Sequence, residues 1–151
     1  MINMKKFVLF LAAVSALLIS ATILKADNDH MIPPAQLPAP AQAFIKQHFP
    51  QQTITYAKKE FDNMRVQYEA YLDDGTEVKF TAKGDWDKVD CKFKPVPAVL
   101  VPAPIVTVVQ SQFGGQPIVK IDKERYGYDI ELANDLELKF TKTGQLMSVD
   151  D

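Results

Sequence analysis

The stretch Tyr68–Cys91, YEAYLDDGTEVKFTAKGDWDKVDC, returns at Tyr128–Asp151 as YDIELANDLELKFTKTGQLMSVDD. At an offset of 60 the two share nine identities in 24 positions: Tyr68, Leu72, Glu77, Lys79, Phe80, Thr81, Gly84, Val89 and Asp90. Upstream, residues 37–60 match 101–124 at an offset of 64, with eight identities in 24: Pro38, Ala39, Pro40, Phe49, Gln52, Ile54, Lys59 and Glu60. Chance at average residue usage gives roughly one or two per window. Four residues near Phe61–Met64 that the second copy lacks reconcile the offsets, at a point where a shorter hairpin absorbs the loss. The chain is a tandem duplication.

Each copy reads as a helix followed by strands. Ala41, Phe44, Ile45 and Phe49 fall on one helical face, and Ile105, Val108, Val109 and Phe113 repeat the same offsets. Helix-to-sheet packing accounts for both stripes without a cofactor. Pro38/Pro40 and Pro102/Pro104 suit a first turn, where a missing N–H does no harm. Pro50 and Gly114 end the helices. Period-two alternation follows. Met64, Val66, Tyr68, Ala70 and Leu72 oppose Arg65, Gln67, Glu69 and Tyr71, and Asp73-Asp74-Gly75 supplies a turn. Val78 and Phe80 then oppose Glu77, Lys79 and Thr81, and Lys83-Gly84-Asp85 turns into a strand over Trp86–Phe93. In the second copy Tyr128, Ile130 and Leu132 oppose Asp129 and Glu131, Ala133–Asp135 turns, and strands follow at Leu136–Phe140 and Leu146–Asp150. Thr53–Glu60 and Ile118–Arg125 complete four strands per copy, and the short loops require antiparallel pairing.

The expected fold is α+β: two tandem α-β4 repeats, 37–93 and 101–151, forming one curved antiparallel sheet of about eight strands with both helices on one face. A copy of some 50 residues buries only about 60% of its chain surface and is marginal alone, so residues 37–151 are expected to be a single domain. Lys94–Leu100, with Pro95 and Pro97, reads as the connection. Residues 27–36 read as an extended, weakly ordered lead-in.

Of the 151 residues, the first 26 have the layout of a cleaved signal peptide. Met4-Lys5-Lys6 precedes an apolar run from Phe7 to Leu24, and Ala26 sits at the cut before Asp27-Asn28-Asp29. The run is also long enough for an uncleaved anchor, but the switch to acidic residues and the lack of a basic stop-transfer flank favour cleavage. No cysteine follows the signal, which argues against a lipid anchor. The expected location is the periplasm or the exterior, with no membrane contact after cleavage. Removing Lys5, Lys6 and Lys25 leaves 14 basic against 19 acidic side chains, a net −5, which argues against nucleic acid. Both signs alternate along the polar strand faces, so no one-sided charge field is expected. With 47% hydrophobic residues the chain is not disordered, and one cysteine excludes an internal disulfide framework.

The paired segments LPAPAQAFIKQHFP and VPAPIVTVVQSQFG, with the two strand blocks quoted above, resemble the PepSY-like domain family of exported Bacteroidetes proteins. The likeness spans about residues 30–151. It rests on structural motifs: a helix start, a Tyr-acid strand, an Asp-Gly or Asn-Asp turn and a Phe-Thr strand end. It implies a fold like that of the beta-lactamase inhibitor protein, and a periplasmic inhibitor or protein-interaction module. It transfers no catalytic residue. The second copy has Asn134-Asp135 at the hairpin, a turn that survives because Asn tolerates positive φ.

Chemistry is poorly supplied. After the signal there are two serines, Ser111 and Ser148, and two histidines, His30 and His48, with no motif linking either histidine to a serine or to Cys91. The protein is therefore expected not to be an enzyme, and a hydrolase ranks last. Cys91 reads either as a redox or intermolecular thiol or as a small buried hydrophobe. No cofactor is expected. Calcium stays open through Asp85, Asp87 and Asp90, which alternate like ligands but lack the glycine and terminal Glu of an EF-hand loop. Asp27-Asn28-Asp29 and Asp73-Asp74 are weaker still. Trp86 aligns with Leu146, which favours core packing over recognition. The polar strand face is the expected protein-binding site, made of Arg65, Glu69, Tyr71, Glu77, Lys79, Glu131, Glu137 and Lys139. Tyr71 reads either as a binding anchor or as a partly covered sheet tyrosine. The expected function is a monomeric, non-enzymatic module that binds an unidentified protein of the cell envelope, such as an inhibitor of a peptidase or another envelope enzyme. The alternative is a calcium- or small-ligand-binding sensor or carrier.

Overall fold

The computed structural model describes residues 29–151. The expected signal peptide, 1–26, lies outside the described residues. In chain order the elements are β1 (Asp29–Ile32), α1 (Ala39–His48), β2 (Ile54–Asp62), β3 (Arg65–Leu72), β4 (Glu77–Thr81), β5 (Trp86–Asp90), α2 (Ala103–Gln112), β6 (Ile118–Lys123), β7 (Gly127–Leu132), β8 (Glu137–Thr141) and β9 (Leu146–Asp150). Among the described residues all nine strands form one antiparallel sheet in sequence order.

The α+β architecture and the duplication stand. The sheet has one strand more than the expected eight, because the lead-in supplies β1. Ile32 pairs with Ala57 of β2 as Val89 of β5 pairs with Ile121 of β6, and Ala57 and Ile121 are equivalent positions of the two copies. A short 3-10 turn follows each of these strands, at Pro34–Gln36 and Ala98–Leu100. The repeating unit thus begins one strand earlier than the sequence identities suggest. β1 gives β2 the neighbour that β5 gives β6, and so removes an unpaired ladder edge.

One face of this sheet is dry. Ala57, Ala70, Leu72, Val78, Phe80, Val89, Ile121, Ile130, Leu132, Leu138 and Phe140 form a single buried cluster with Ala41 and Ile45 of α1 and Ile105 and Val109 of α2. Both helices therefore lie on the same side. The ring of Phe44 meets that of Phe80 edge-on at 5.7 Å, a geometry that adds to burial alone. The copies join where β5 meets β6. Beyond the ladder, Cys91 N–H donates to Val119 O at 2.8 Å and Val96 N–H to Ile118 O at 2.8 Å.

Three local expectations need correction. The last strand of the first copy stops at Asp90 and does not reach Phe93. Lys92 turns out with φ +61, and Phe93 is exposed. Met64 belongs by alternation to the apolar strand face, yet it sits at the β2–β3 turn with φ +63, almost fully exposed. In the second β7–β8 hairpin the positive φ falls on Asp135 (φ +70), the counterpart of Gly75 (φ +89), and not on Asn134. Asn134 keeps a different duty. Its Oδ1 accepts the Leu136 N–H at 3.4 Å, as Asp74 Oδ1 accepts the Thr76 N–H at 3.0 Å.

The hairpins after β4 and β8 pack against the helix starts. Thr81 Oγ1 accepts the Asp85 N–H and Thr141 Oγ1 accepts the Gln145 N–H, which tightens both turns. Gly84 (φ +89) and Gly144 (φ +85) follow, each pressed on the helix-start prolines: a Cβ would lie 2.9 Å from Pro38 Cβ at Gly84 and 2.5 Å from Pro104 Cβ at Gly144. Left-handed backbone alone costs a side chain about 1–2 kcal/mol, and the contact adds to it. Gly144→Ala should therefore lower the unfolding free energy by more than about 2 kcal/mol in urea titration, with Gly84→Ala milder because its contact is longer.

Candidate functional site: the open face of the sheet

Cross-strand register arranges the other face into two rows. The first runs Met31, Lys58, Glu69, Lys79, Lys88, Asp122, Asp129, Lys139, Ser148. The second runs Tyr56, Tyr71, Glu77, Asp90, Lys120, Glu131, Glu137, Asp150. Seven of the eight residues expected on this face lie in these rows, and Arg65 lies on the same side at the outer end of β3, opposite Asp62. No described helix covers the rows, since both helices pack on the opposite face.

The second row departs from the expected balance of signs. Glu77, Asp90, Glu131, Glu137 and Asp150 share it with one base, Lys120, whose Nζ lies 3.7 Å from Glu131. Lys92 reaches in from the β5 exit, 3.1 Å from both Glu77 and Asp90. The first row is mixed. Charge along each strand alternates, but pleating and register gather the acids of five strands into one line.

At the first-copy end the face has a built centre. The rings of Tyr56 and Tyr71 stack at 4.2 Å, with Lys58 Nζ 5.4 Å from the Tyr71 centroid. Glu69, one of the residues expected to make the protein-binding face, is only 4% exposed. Lys58 and Lys79 stand opposite it on the flanking strands. Its carboxyl accepts the Tyr71 hydroxyl and shares a hydrogen bond with the Glu60 carboxyl, so its oxygens are partnered although buried. Among the described residues every buried side-chain N or O has a partner. Burial and the adjoining Glu69 carboxyl raise the Glu60 carboxyl above its usual range, against the pull of Lys79 at 3.9 Å. Burial and the neighbouring Glu69 and Glu77 carboxylates push the Tyr71 phenol well up, so it stays a neutral hydrogen-bonding group. Tyr71 is thus half-covered and braced, as the partly covered sheet tyrosine of the two readings.

In the second copy Asp122 stands directly opposite Asp129, an unfavourable pairing of like charges. Burial first, then Glu124 and Asp87, push the Asp122 carboxyl up to about 6, against Lys88 and Lys120. A dimple there, lined by Lys120, Asp122, Asp129, Glu131, Glu137 and Lys139, holds about 40 Å³. Ligand pockets run to about 300–1,000 Å³, so this part of the face offers area and charge.

The other candidates are dispersed. Asp90 is engaged by Lys92, while Asp85 and Asp87 lie by Lys123. Among the described residues no group of three or more His, Cys, Asp or Glu is placed to hold a metal. Cys91 is buried, and burial pushes its thiol up to about 11, an inert state that suits the small-hydrophobe reading. Trp86 packs against the core beside Phe44, with Lys123 Nζ 3.7 Å from its ring centre. Tyr56, Lys58, Lys88, Lys120, Asp122 and Asp129 belong to the face without standing out in the sequence, and Asp90 stands out there only as a calcium candidate. Their alternation with Ala57, Val89 and Ile121 carried that signal.

Comparison with known proteins places this architecture. The family model described as "Putative beta-lactamase-inhibitor-like, PepSY-like" matches residues 66–148. The chain belongs to the PepSY-like family. A crystal structure described as a putative periplasmic protein of unknown function from Bacteroides vulgatus is 34% identical, covering 82% of this chain and 99% of its own, with TM-score 0.78. One described as a putative calcium-regulated periplasmic protein from Bacteroides thetaiotaomicron is 37% identical, covering 83% and 99%, with TM-score 0.78. A third, a putative periplasmic protein of the DUF2874 family from Bacteroides vulgatus, is 34% identical over 83% and 99%, with TM-score 0.78. No curated protein matches the chain. Among the described residues of this PepSY-like protein, no helix is long and apolar enough to cross a membrane.

Asp122 makes the electrostatics of the face testable. Its folded pKa lies above its ordinary value of 3.8, so its contribution to stability is complete below about pH 4 and is lost as pH rises through about 6. Asp122→Asn should flatten the pH dependence of the melting temperature between pH 4 and 6 and raise that temperature at pH 7. Thermal unfolding of both proteins across this range checks it.

Proposed function

We propose that this protein is a non-enzymatic binding module of the periplasm whose open sheet face engages a protein partner bearing basic residues. The observation that carries this reading is the uncovered second row, where acids of five strands, interrupted by Lys120 alone, run on from the braced Tyr56–Tyr71 stack. A predominantly acidic row supplies orientation and on-rate, and a half-buried tyrosine supplies an anchor that loses little freedom on binding. The periplasmic description of the three similar structures supports the compartment. An envelope peptidase or another envelope enzyme inhibited by this contact is the partner class that the family's description favours.

Immobilised protein should capture a discrete partner from native envelope extract. Charge reversal at Glu131 or Glu137, or Tyr71→Ala, should weaken that capture about tenfold or more, and raised salt should weaken it too. Reversal of the mixed-row bases Lys79 and Lys139 should act less strongly. Capture that withstands every change on this face places the site elsewhere.

A second reading, calcium sensing, draws on the calcium-regulated description of one similar structure. It predicts a rise in melting temperature with millimolar calcium, by mass action. An unchanged melting temperature in a calcium titration rejects it.

A further inference from the structure

The duplication lets the molecule serve as its own comparison. β5 and β9 are equivalent strands that share Val89/Val149 and Asp90/Asp150 at an offset of 60. Each pairs on one side with its hairpin partner, β4 or β8, in the same register: Val78 opposite Val89, Leu138 opposite Val149. On its other side β5 is closed by β6, with Ile121 against Val89 and Lys120 opposite Asp90. The outer side of β9 has no strand among the described residues. Val89 is therefore 0% exposed and Val149 46%, with Met147 beside it at 55%. The other outer strand differs, for Ile32 of β1 is packed on the core.

An exposed apolar edge of this kind is normally blunted. Here β5 and β6 display what completes it, down to the side chains that face one another. We propose that the outer edge of β9 receives an extended strand of a partner protein by antiparallel addition, with an apolar side chain against Val149 and a lysine or arginine opposite Asp150. Main-chain hydrogen bonds hold such a strand, and the alternating side chains select it. The basic residue takes the register position opposite Asp150 that Lys120 takes opposite Asp90 within the chain. This edge shares Asp150 with the open face, but its main-chain ladder and Val149 lie outside that face, and neither proposal requires the other.

The probe is a capped peptide of residues 117–123, Pro-Ile-Val-Lys-Ile-Asp-Lys, which is the chain's own β6 sequence. Titrated into isotopically labelled protein, it should shift and protect the backbone amides of residues 146–150 in a saturable manner. A peptide carrying Glu in place of the lysine equivalent to Lys120 should lose the effect, as should Val149→Lys protein. Position 149 is partly exposed, so an unchanged melting temperature verifies that this variant is folded. Glu131→Lys, on the open face, should leave peptide binding as it is, so failure here and failure of the face proposal are distinguishable. Absence of shifts at β9, shifts confined to β1, or sedimentation showing that the free protein pairs with itself through β9 would each overturn the proposal.

Discussion

Phe80 and Phe140 lie on equivalent strands, and both are wholly buried between the sheet and the helices. Their burial decides which side of the sheet is dry. Each sends the side chains at the neighbouring positions, Lys79 and Lys139, to the opposite side, and a shift of one residue in register would exchange the two faces. The helices follow the same constraint, since Ala41, Ile45, Ile105 and Val109 find apolar surface only on that side. Two short helices cover one face, and the other is left as the large polar surface.

That surface is shaped by the ladder more than by any one strand. Nine strands in sequence order place position beside position, so a residue's neighbours on the face come from other strands. Glu77, Asp90, Glu131 and Glu137 become a row through pairing alone. Lys92, which leaves the sheet with a left-handed backbone, partly offsets the row at one end. At that end the Tyr56–Tyr71 stack covers part of the sheet, and Glu69 is buried, hydrogen-bonded to Glu60 and Tyr71. The face therefore has a firm, partly apolar end and an extended acidic one, and the proposed function rests on that combination.

Much of the architecture was legible in the residues. Identities at two offsets exposed the duplication, and alternation around Tyr68–Leu72 and Glu77–Thr81 assigned faces correctly. What the sequence concealed has physical causes. Asp29–Ile32 is too short to show a period, and its strand form depends on an otherwise open edge of β2. Alternation tells which face Glu69 occupies but not that its neighbours cover it. Charge alternates along each strand, so the acidic row emerges only once register is known. Phe93 continues an apolar pattern, yet the chain has already turned away at Lys92. Asp135 takes the positive φ because its place in the hairpin demands it, although Asn134 is the better-suited residue type.

The central claim is that the open face, and not the helical side, meets the partner. Site-specific photo-crosslinking in intact cells tests this most directly, with the crosslinker placed at Glu137 on the face or at Thr107 on the exposed side of α2. The account predicts a discrete adduct from position 137 and none from position 107. An adduct from position 107 with none from position 137 would contradict it.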